Sequence, residues 1–415
     1  MKILILSVSA GGGHSHAAEA LKSYIKLNNN EAKITVIDTL KYINPLIDKV
    51  IIGSYLKTLK VTPSLFGKLY DHSEDDEGLA TVISSNLSKI MNYKLSHLID
   101  EFDPDVIICT HPFPAEMISI MKDKGKLNIP SLTILTDYAP HSFWIQEHTD
   151  AYVVSNSDMI DEMVARDVPK NKIFDFGIPV SPSFLNKYDT EKTLKELDLN
   201  INIPTFLIMG GSLGIGKISD LYSELIKIEQ NIQIIIITGN NKKLYSQLSK
   251  LKEDSDKETR IIGFTNEVNK YMQCCDLLLT KPGGLTITEA LVSNIPMAIF
   301  SPIPGQEEKN AEFLLRHNLA ISIDSIEDTK NIISDLLKSK SALKTMSLNC
   351  NKFAKPNSGN DIYNLLKFLM NIKKNESSKN KMFVSNRIIS NKNKNLFKSI
   401  EKYFIKTAEK FLCCL

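Results

Sequence analysis

Thr280-Lys281-Pro282-Gly283-Gly284-Leu285-Thr286-Ile287-Thr288-Glu289-Ala290, followed closely by Ser301-Pro302-Ile303-Pro304-Gly305-Gln306-Glu307-Glu308-Lys309-Asn310, decides how this chain is read. The apolar run at 277–280 predicts a strand that delivers Pro-Gly-Gly to the start of a helix. Unpaired N–H groups and the positive dipole end at such a start can hold a pyrophosphate. One turn in, Glu289 can accept the two hydroxyls of a ribose. Gln306, Glu307 and Asn310 fall on the next strand-to-helix loop, within reach of a hexose. One loop with phosphate geometry beside one polar loop describes a nucleotide-sugar site. If Glu289 were merely an exposed helix acid, the second loop would still need an explanation.

Two further turns of this kind lie upstream. Met209-Gly210-Gly211-Ser212-Leu213-Gly214-Ile215-Gly216-Lys217 follows a predicted strand at 205–209, and Ser212 adds a hydroxyl donor to its backbone cradle. A tight turn without ligand is the alternative. Ser9-Ala10-Gly11-Gly12-Gly13-His14-Ser15-His16 follows a predicted strand at 2–8 and precedes a predicted helix at 17–27. It lacks the GxGxxG spacing of a dinucleotide site and the Gly-Lys-Ser/Thr of a nucleotide P-loop. His14 can take a proton from a bound hydroxyl near neutral pH, or it can simply cap the turn.

Eleven short apolar runs alternate with helical stretches between residues 2 and 323. Several are continuously apolar, as in Ile234-Ile235-Ile236-Ile237, which fits strands covered on both faces of a parallel sheet. Eleven strands are too many for one comfortable sheet. Pro179, Pro182 and the polar stretch 186–202 mark the junction, after which strand, Gly-rich loop and helix begin again. The expected class is α/β, with two Rossmann-like domains facing a central cleft. The expected domains are 1–182, 183–355, a helix at 356–372 crossing back to the first domain, and a linker with a basic helix at 373–415. Asn375 to Asn395 reads as flexible linker from its Lys/Asn/Ser composition.

The 415 residues are 43% hydrophobic and 24% charged, which excludes a wholly disordered, collagenous or polytopic chain. Six cysteines show neither zinc-ligand spacing nor a disulfide framework, so a reducing cytosol is expected and no export is read. The net charge of +2 hides an asymmetry. Residues 371–415 hold eleven Lys or Arg against three acids, so the tail is strongly basic and the body mildly acidic. Within the tail, Phe397, Ile400, Phe404, Ala408 and Phe411 recur beside Lys398, Lys402, Lys406 and Lys410. Such a basic amphipathic helix suits an anionic membrane surface, or it docks on the body with a solvated lysine face. Asp103-Pro104-Asp105 has the Asp-x-Asp spelling of a metal site but precedes its strand, and Glu74-Asp75-Asp76-Glu77 reads as a solvated acidic loop. An apolar, lysine-bearing region between Pro45 and Leu69 suits both core packing and contact with headgroups.

Residues 7–14, the stretch Thr110-His111-Pro112-Phe113, the block Thr136-Asp137-Tyr138 with Trp144, and the paired segments 281–290 and 302–310 together resemble one family. It is that of the bacterial diacylglycerol glucosyltransferases and plant monogalactosyldiacylglycerol synthases, related to the enzyme that completes lipid II. The resemblance spans about residues 1–370. It implies a GT-B fold, a UDP-hexose donor on the C-terminal domain, a diacylglycerol acceptor on the N-terminal one, and inversion at the anomeric carbon. It assigns Glu289 to the ribose, Gly263 and Phe264 to the uracil edge, and Gly211, Ser212, Gly283 and Gly284 to the diphosphate. Gln306, Glu307 and Asn310 go to the donor sugar, and Gly12, Gly13, His111 and Trp144 to the acceptor. His14 is the implied base, with Asp137 orienting or balancing it. No cofactor, metal or nucleic acid is expected, and the enzyme is placed peripherally on the inner face of the cell membrane. A UDP-sugar 2-epimerase shares the fold and nucleotide site; the basic tail and the 110–113 stretch argue against it.

Overall fold

Continuous Ile, Leu and Val runs, backed on both faces by helices, give this chain two parallel sheets. The computed structural model describes residues 1–9, 12–45, 85–210, 217–339 and 341–380. Gly211 and Ser212, the region after Pro45, the acidic run at 74–77 and the basic helix of the tail lie outside the described residues.

The first sheet holds β1 (Lys2–Ser7), β2 (Lys33–Asp38), β3 (Val106–Cys109), β4 (Ser131–Ile134), β5 (Ala151–Val153) and β6 (Ile173–Phe174), ordered β2-β1-β3-β4-β5-β6. The second holds β7 (Thr205–Met209), β8 (Gln233–Ile237), β9 (Thr259–Ile262), β10 (Leu277–Thr280), β11 (Met297–Phe300) and β12 (Ala320–Ile323), ordered β12-β11-β10-β7-β8-β9. All pairings within both sheets are parallel. The pleat sends alternate residues to opposite faces. Ile3, Ile5, Val106 and Ile108 join one apolar layer, while Leu4, Leu6, Ile107 and Cys109 join the other. Ile235 and Ile237 likewise part from Ile234 and Ile236 in the second sheet. Each fully buried Ile or Leu contributes roughly 1.5–3 kcal/mol, so both layers of each sheet are needed to hold it.

Strand order reverses between β1 and β3 in the first sheet and between β7 and β10 in the second. In open α/β sheets ligands bind beyond the strand ends at such reversals. The loops after β1, β3, β7 and β10 are those that carry Gly12, Thr110, Gly210 and Gly283. Asp103 and Asp105 sit at the opposite edge, where Asp105 accepts from the Lys2 backbone N–H at 2.7 Å and Asp103 pairs with the Lys2 ammonium at 3.1 Å.

Several boundaries differ from those read in the sequence. The first helix is Gly13–Asn28, so His14 stands in its first turn instead of in the preceding loop. β4 stops at Ile134, two residues early, because Thr136 leaves the ladder for contacts described below. The polar stretch 186–202 contains a helix, Thr190–Glu196, capped by Asp189 accepting from the Lys192 N–H at 3.0 Å. β6 is only two residues long and offers no periodicity to detect.

The last helix, Ser358–Asn380, packs on the first domain: Ile362, Leu365, Leu366, Leu369 and Met370 share a core with Ile3, Ile5, Leu21 and Ile25. It runs past Asn375, where composition predicts a linker, because a helix already nucleated by a docked stripe extends at little cost. The two chain crossings meet at Gly177, whose φ of 82° and closeness to Lys355 admit no side chain. There Ser358 donates to the Gly177 carbonyl at 2.6 Å and Lys355 pairs with Asp175 at 2.8 Å. Farther along, a Cβ on Gly359 would lie 2.1 Å from the ring of buried Tyr24. Gly359→Val therefore overpacks this joint, and overpacking of this kind costs about 1–3 kcal/mol. Guanidinium denaturation is expected to give a lower midpoint at unchanged slope; an unmoved midpoint would contradict the packing.

Candidate active site

The N-terminal contribution is built around one imidazole. Gly12, at φ 88°, turns the chain into the helix Gly13–Asn28 and leaves His14 in its first turn. The His14 Nδ1 lies 2.9 Å from the Thr110 carbonyl, an atom that can only accept, so Nδ1 carries the hydrogen and Nε2 the lone pair. The Thr136 hydroxyl lies 2.8 Å from the same nitrogen, and the Thr110 hydroxyl donates to the His14 carbonyl at 3.1 Å. Ring, tautomer and backbone are thus fixed from β3 and from the end of β4. Burial lowers the His14 pKa below its ordinary value, against the opposing pull of Asp137 and the Thr110 bond. The result is a neutral imidazole at physiological pH, the form a general base requires.

His111 stands edge-on to His14, with ring centres 4.6 Å apart. Its Nδ1 accepts from the Phe113 N–H at 3.1 Å and so caps the helix Pro112–Asp123. Burial and the neighbouring His14 hold its pKa well below the usual value. Trp144 is buried, with its ring centre 6.1 Å from that of His14, and its indole N–H donates to Asp137 Oδ2 at 3.1 Å. The other Asp137 oxygen accepts from the Gln306 amide, which comes from the second domain. Burial raises the Asp137 pKa, while bonds from Gln306, Trp144 and Asn310 and the charge of His14 pull it back down. Asp137 therefore acts on His14 as a nearby charge, with no direct hydrogen bond between them among the described residues.

The C-terminal contribution begins at β10, whose loop enters the helix Gly284–Val292. A Cβ on Gly284 would lie 1.9 Å from the Thr136 carbonyl oxygen, so only glycine lets the two domains touch here. Gly13 meets the same helix, its Cβ position 3.8 Å from that of Leu285. Gly283 is freer, its Cβ position lying 3.9 Å from Glu307 Oε1. The Glu289 carboxylate has no hydrogen-bond or ion-pair partner among the described residues, and burial pushes its pKa up to about 8. A partly buried carboxylate left without donors has room for a ligand's hydroxyls.

The neighbouring helix, Gln306–Arg316, starts after Gly305 at φ 84°. Glu307 Oε2 accepts from the Ile303 N–H at 2.7 Å and lies 3.8 Å from the Lys281 ammonium; burial raises its pKa against that lysine. Asn310 is buried, accepting from the Tyr138 N–H at 2.7 Å and donating to the Pro282 carbonyl at 3.0 Å. It clasps the two domains. Tyr138 also bonds the Thr288 hydroxyl at 2.9 Å.

The fold thus brings together His14, His111, Asp137, Trp144, Gly283, Gly284, Gln306, Glu307 and Asn310 at one seam. Glu289 lies farther along the Gly284–Val292 helix. Gly263 and the exposed Phe264 stand apart at the end of β9, the far strand of the second sheet. Thr110 and Thr136 were given no role by the sequence. The Thr110 contact is made by a backbone carbonyl, which leaves no signature in residue type, and the Thr136 hydroxyl depends on where β4 breaks off.

Residues 14–180 match the family profile of monogalactosyldiacylglycerol (MGDG) synthase, and residues 205–362 match that of the glycosyltransferase family 28 C-terminal domain. The processive diacylglycerol beta-glucosyltransferase of Staphylococcus carnosus is 30% identical over 349 residues, which cover 83% of this chain and 87% of the relative. The chain belongs to this glucosyltransferase family. The Staphylococcus epidermidis protein of the same name is 29% identical over 348 residues, with the same shares covered. Acinetobacter baumannii MurG shares the fold, at TM-score 0.61 and 14% identity over 88% of this chain and 99% of MurG. The architecture is GT-B, with both family segments contributing to the seam.

The His14 environment fixes a pH response. Below its pKa the base is protonated and inactive, so the acid limb of kcat/KM is expected to fall below the ordinary histidine value of about 6.5. Asp137→Asn removes the negative charge that raises that pKa, so the limb should move to still lower pH. A limb that stays in place in the variant would contradict the assigned electrostatics.

Proposed function

We propose that this protein is an inverting glycosyltransferase that moves a hexose, glucose in the first instance, from a UDP-sugar to the free hydroxyl of 1,2-diacylglycerol. One observation carries the proposal. The helix that bears the neutral, tautomer-fixed His14 abuts the start of the helix that follows Pro282-Gly283, so base and leaving-group cradle share one seam. The names of its relatives supply the acceptor, diacylglycerol, and the transferred glucosyl group; the UDP carrier rests on the resemblance and on the loop geometry.

The reaction is a single in-line displacement. The diacylglycerol oxygen attacks the anomeric carbon, and its proton passes to His14 Nε2 as the new C–O bond forms. The bond from the anomeric carbon to the diphosphate oxygen breaks, UDP departs with growing negative charge, and configuration at that carbon inverts. Backbone N–H groups in the loop after β7 and at the start of the Gly284–Val292 helix are assigned to that charge. Glu289 takes the ribose hydroxyls, whose donation favours its ionised form. Gly263 and Phe264 border the uracil, and Gln306 and Glu307 meet the hexose. Asn310 supports this group as a domain clasp.

A peripheral position on the inner face of the cell membrane fits this acceptor, with the basic tail toward anionic headgroups. Among the described residues no helix is long and apolar enough to cross a membrane. The displacement as written calls for no metal. Purified protein given UDP-glucose is expected to release UDP only when diacylglycerol vesicles are added, and to keep doing so in EDTA. His14→Ala should cut turnover by about 10²–10⁴ with UDP affinity nearly intact. Acceptor-independent UDP release, or an active His14→Ala enzyme, would contradict the proposal.

A further inference from the structure

Gln306 belongs to the second domain, yet its amide N–H groups are turned onto Asp137 of the first. Asp137 is the acid whose charge supports protonated His14. Gln306 thereby sits one residue away from the base while belonging to the loop assigned to the donor. Its own carbonyl oxygen has no partner among the described residues, and its residue stands at the first turn of a helix entered through Ser301 (φ 47°) and Gly305 (φ 84°). The other Asp137 oxygen is held by the Trp144 indole, a rigid and buried donor. Asn310 is a further donor to this carboxylate, buried and held in place by the Tyr138 N–H and the Pro282 carbonyl. Of the three side chains that bond Asp137, only Gln306 is not fully buried, so it is the one free to leave while the carboxylate stays in place.

We infer that Gln306 is a positioning residue that links donor occupancy to base strength: its amide binds Asp137 while the donor site is empty and turns to the sugar when a UDP-hexose is bound. This rests on the reading of the chain as a UDP-hexose transferase. While Asp137 stays ionised, the physical effect has a definite sign. An amide N–H aimed at a carboxylate places positive density beside it and weakens its attraction for a neighbouring cation. When Gln306 leaves, the Asp137 charge acts more fully on His14, and the imidazolium becomes more stable. The base is then strongest when a donor is in place to be attacked. With the donor site empty, His14 is a weaker base toward a bound hydroxyl, which limits chemistry without a hexose.

The other titratable groups that face this pair are His111, edge-on to His14, and Glu307 with its partner Lys281 on the donor side. None of these changes when Gln306 alone is altered, so a Gln306 variant isolates the bond. The displacement itself is as written above; Gln306 forms and breaks no covalent bond and transfers no proton.

The test reads the His14 titration directly in full-length protein labelled with ¹³C at histidine Cε1, the resonance being identified among the eight histidines by its loss in His14→Ala. In ligand-free protein, Gln306→Met, which keeps the length but lacks the N–H groups, should raise the His14 pKa by roughly half a unit, a fraction of the effect of a whole charge at ~4–6 Å. Gln306→Ala should do the same, which separates loss of the bond from any packing effect of methionine. In wild-type protein, UDP-glucose should raise the pKa more, relative to UDP, than it does in either variant. Equal increments in wild type and variants, or a ligand-free pKa that stays or falls in both variants, would overturn the inference. The transferase reading fails by a different sign: absence of any calorimetric heat with UDP-glucose. In that case the donor-linked part falls with it, while the ligand-free arm still decides whether Gln306 acts on His14.

Discussion

The Thr136 carbonyl rests against the bare α-carbon of Gly284, at a spacing no side chain would allow. Most of the site follows from that contact. It requires β4 to end at Ile134, and the residues released there are Thr136, Asp137 and Tyr138. Thr136 turns its hydroxyl to His14, Asp137 takes donors from both domains, and Tyr138 is clasped by Asn310 and Thr288. A three-residue departure from one strand therefore closes the seam and arranges the base together.

Desolvation then sets the chemistry. His14 and His111 are held below their ordinary pKa values by burial, and Glu289 and Glu307 are held above theirs. The charges that remain are offset in pairs, Asp137 by its donors and Glu307 by Lys281. In such a setting, backbone N–H groups aimed at a developing diphosphate charge are worth more than in water, because little competing solvent has to be displaced at the moment of reaction. The last helix contributes at a distance: by packing on the first domain after the second is complete, it ties the two halves that share this seam.

Much of this was legible in the chain itself. Continuous runs such as Ile234 to Ile237 announced buried parallel strands, and Gly-rich turns after strands announced ligand-facing loops, which the fold places at both sheet reversals. His14, Asp137, Gln306 and Glu307 were all named from motif positions, and they converge. Other features were hidden for physical reasons. Gly284 read as a place for phosphate to approach, whereas in the folded chain its open face is taken by another backbone; sequence shows that a close approach is needed but not what approaches. Asn310 read as a sugar ligand because a polar residue in a ligand loop and a polar residue clasping two domains look alike. Trp144 and Asp137 carried no sign of their mutual bond. The helix running to Asn380 defied a composition that favours loops, since docking of its earlier turns outweighs local propensity.

The composite seam is the central claim, and Gly284→Ala addresses it most directly. The added methyl group would meet the Thr136 carbonyl, so the two domains could no longer close in register. Ala17 and Tyr138 of the first domain share one apolar cluster with Leu285 and Ile287, so the thermal midpoint should also fall. In protein assayed well below that midpoint, diacylglycerol-dependent release of UDP from UDP-glucose should fall by about 10²-fold or more, the usual consequence of a misplaced reacting geometry. A variant that keeps turnover within a few-fold of the parent would show that the base and the donor cradle do not depend on this contact.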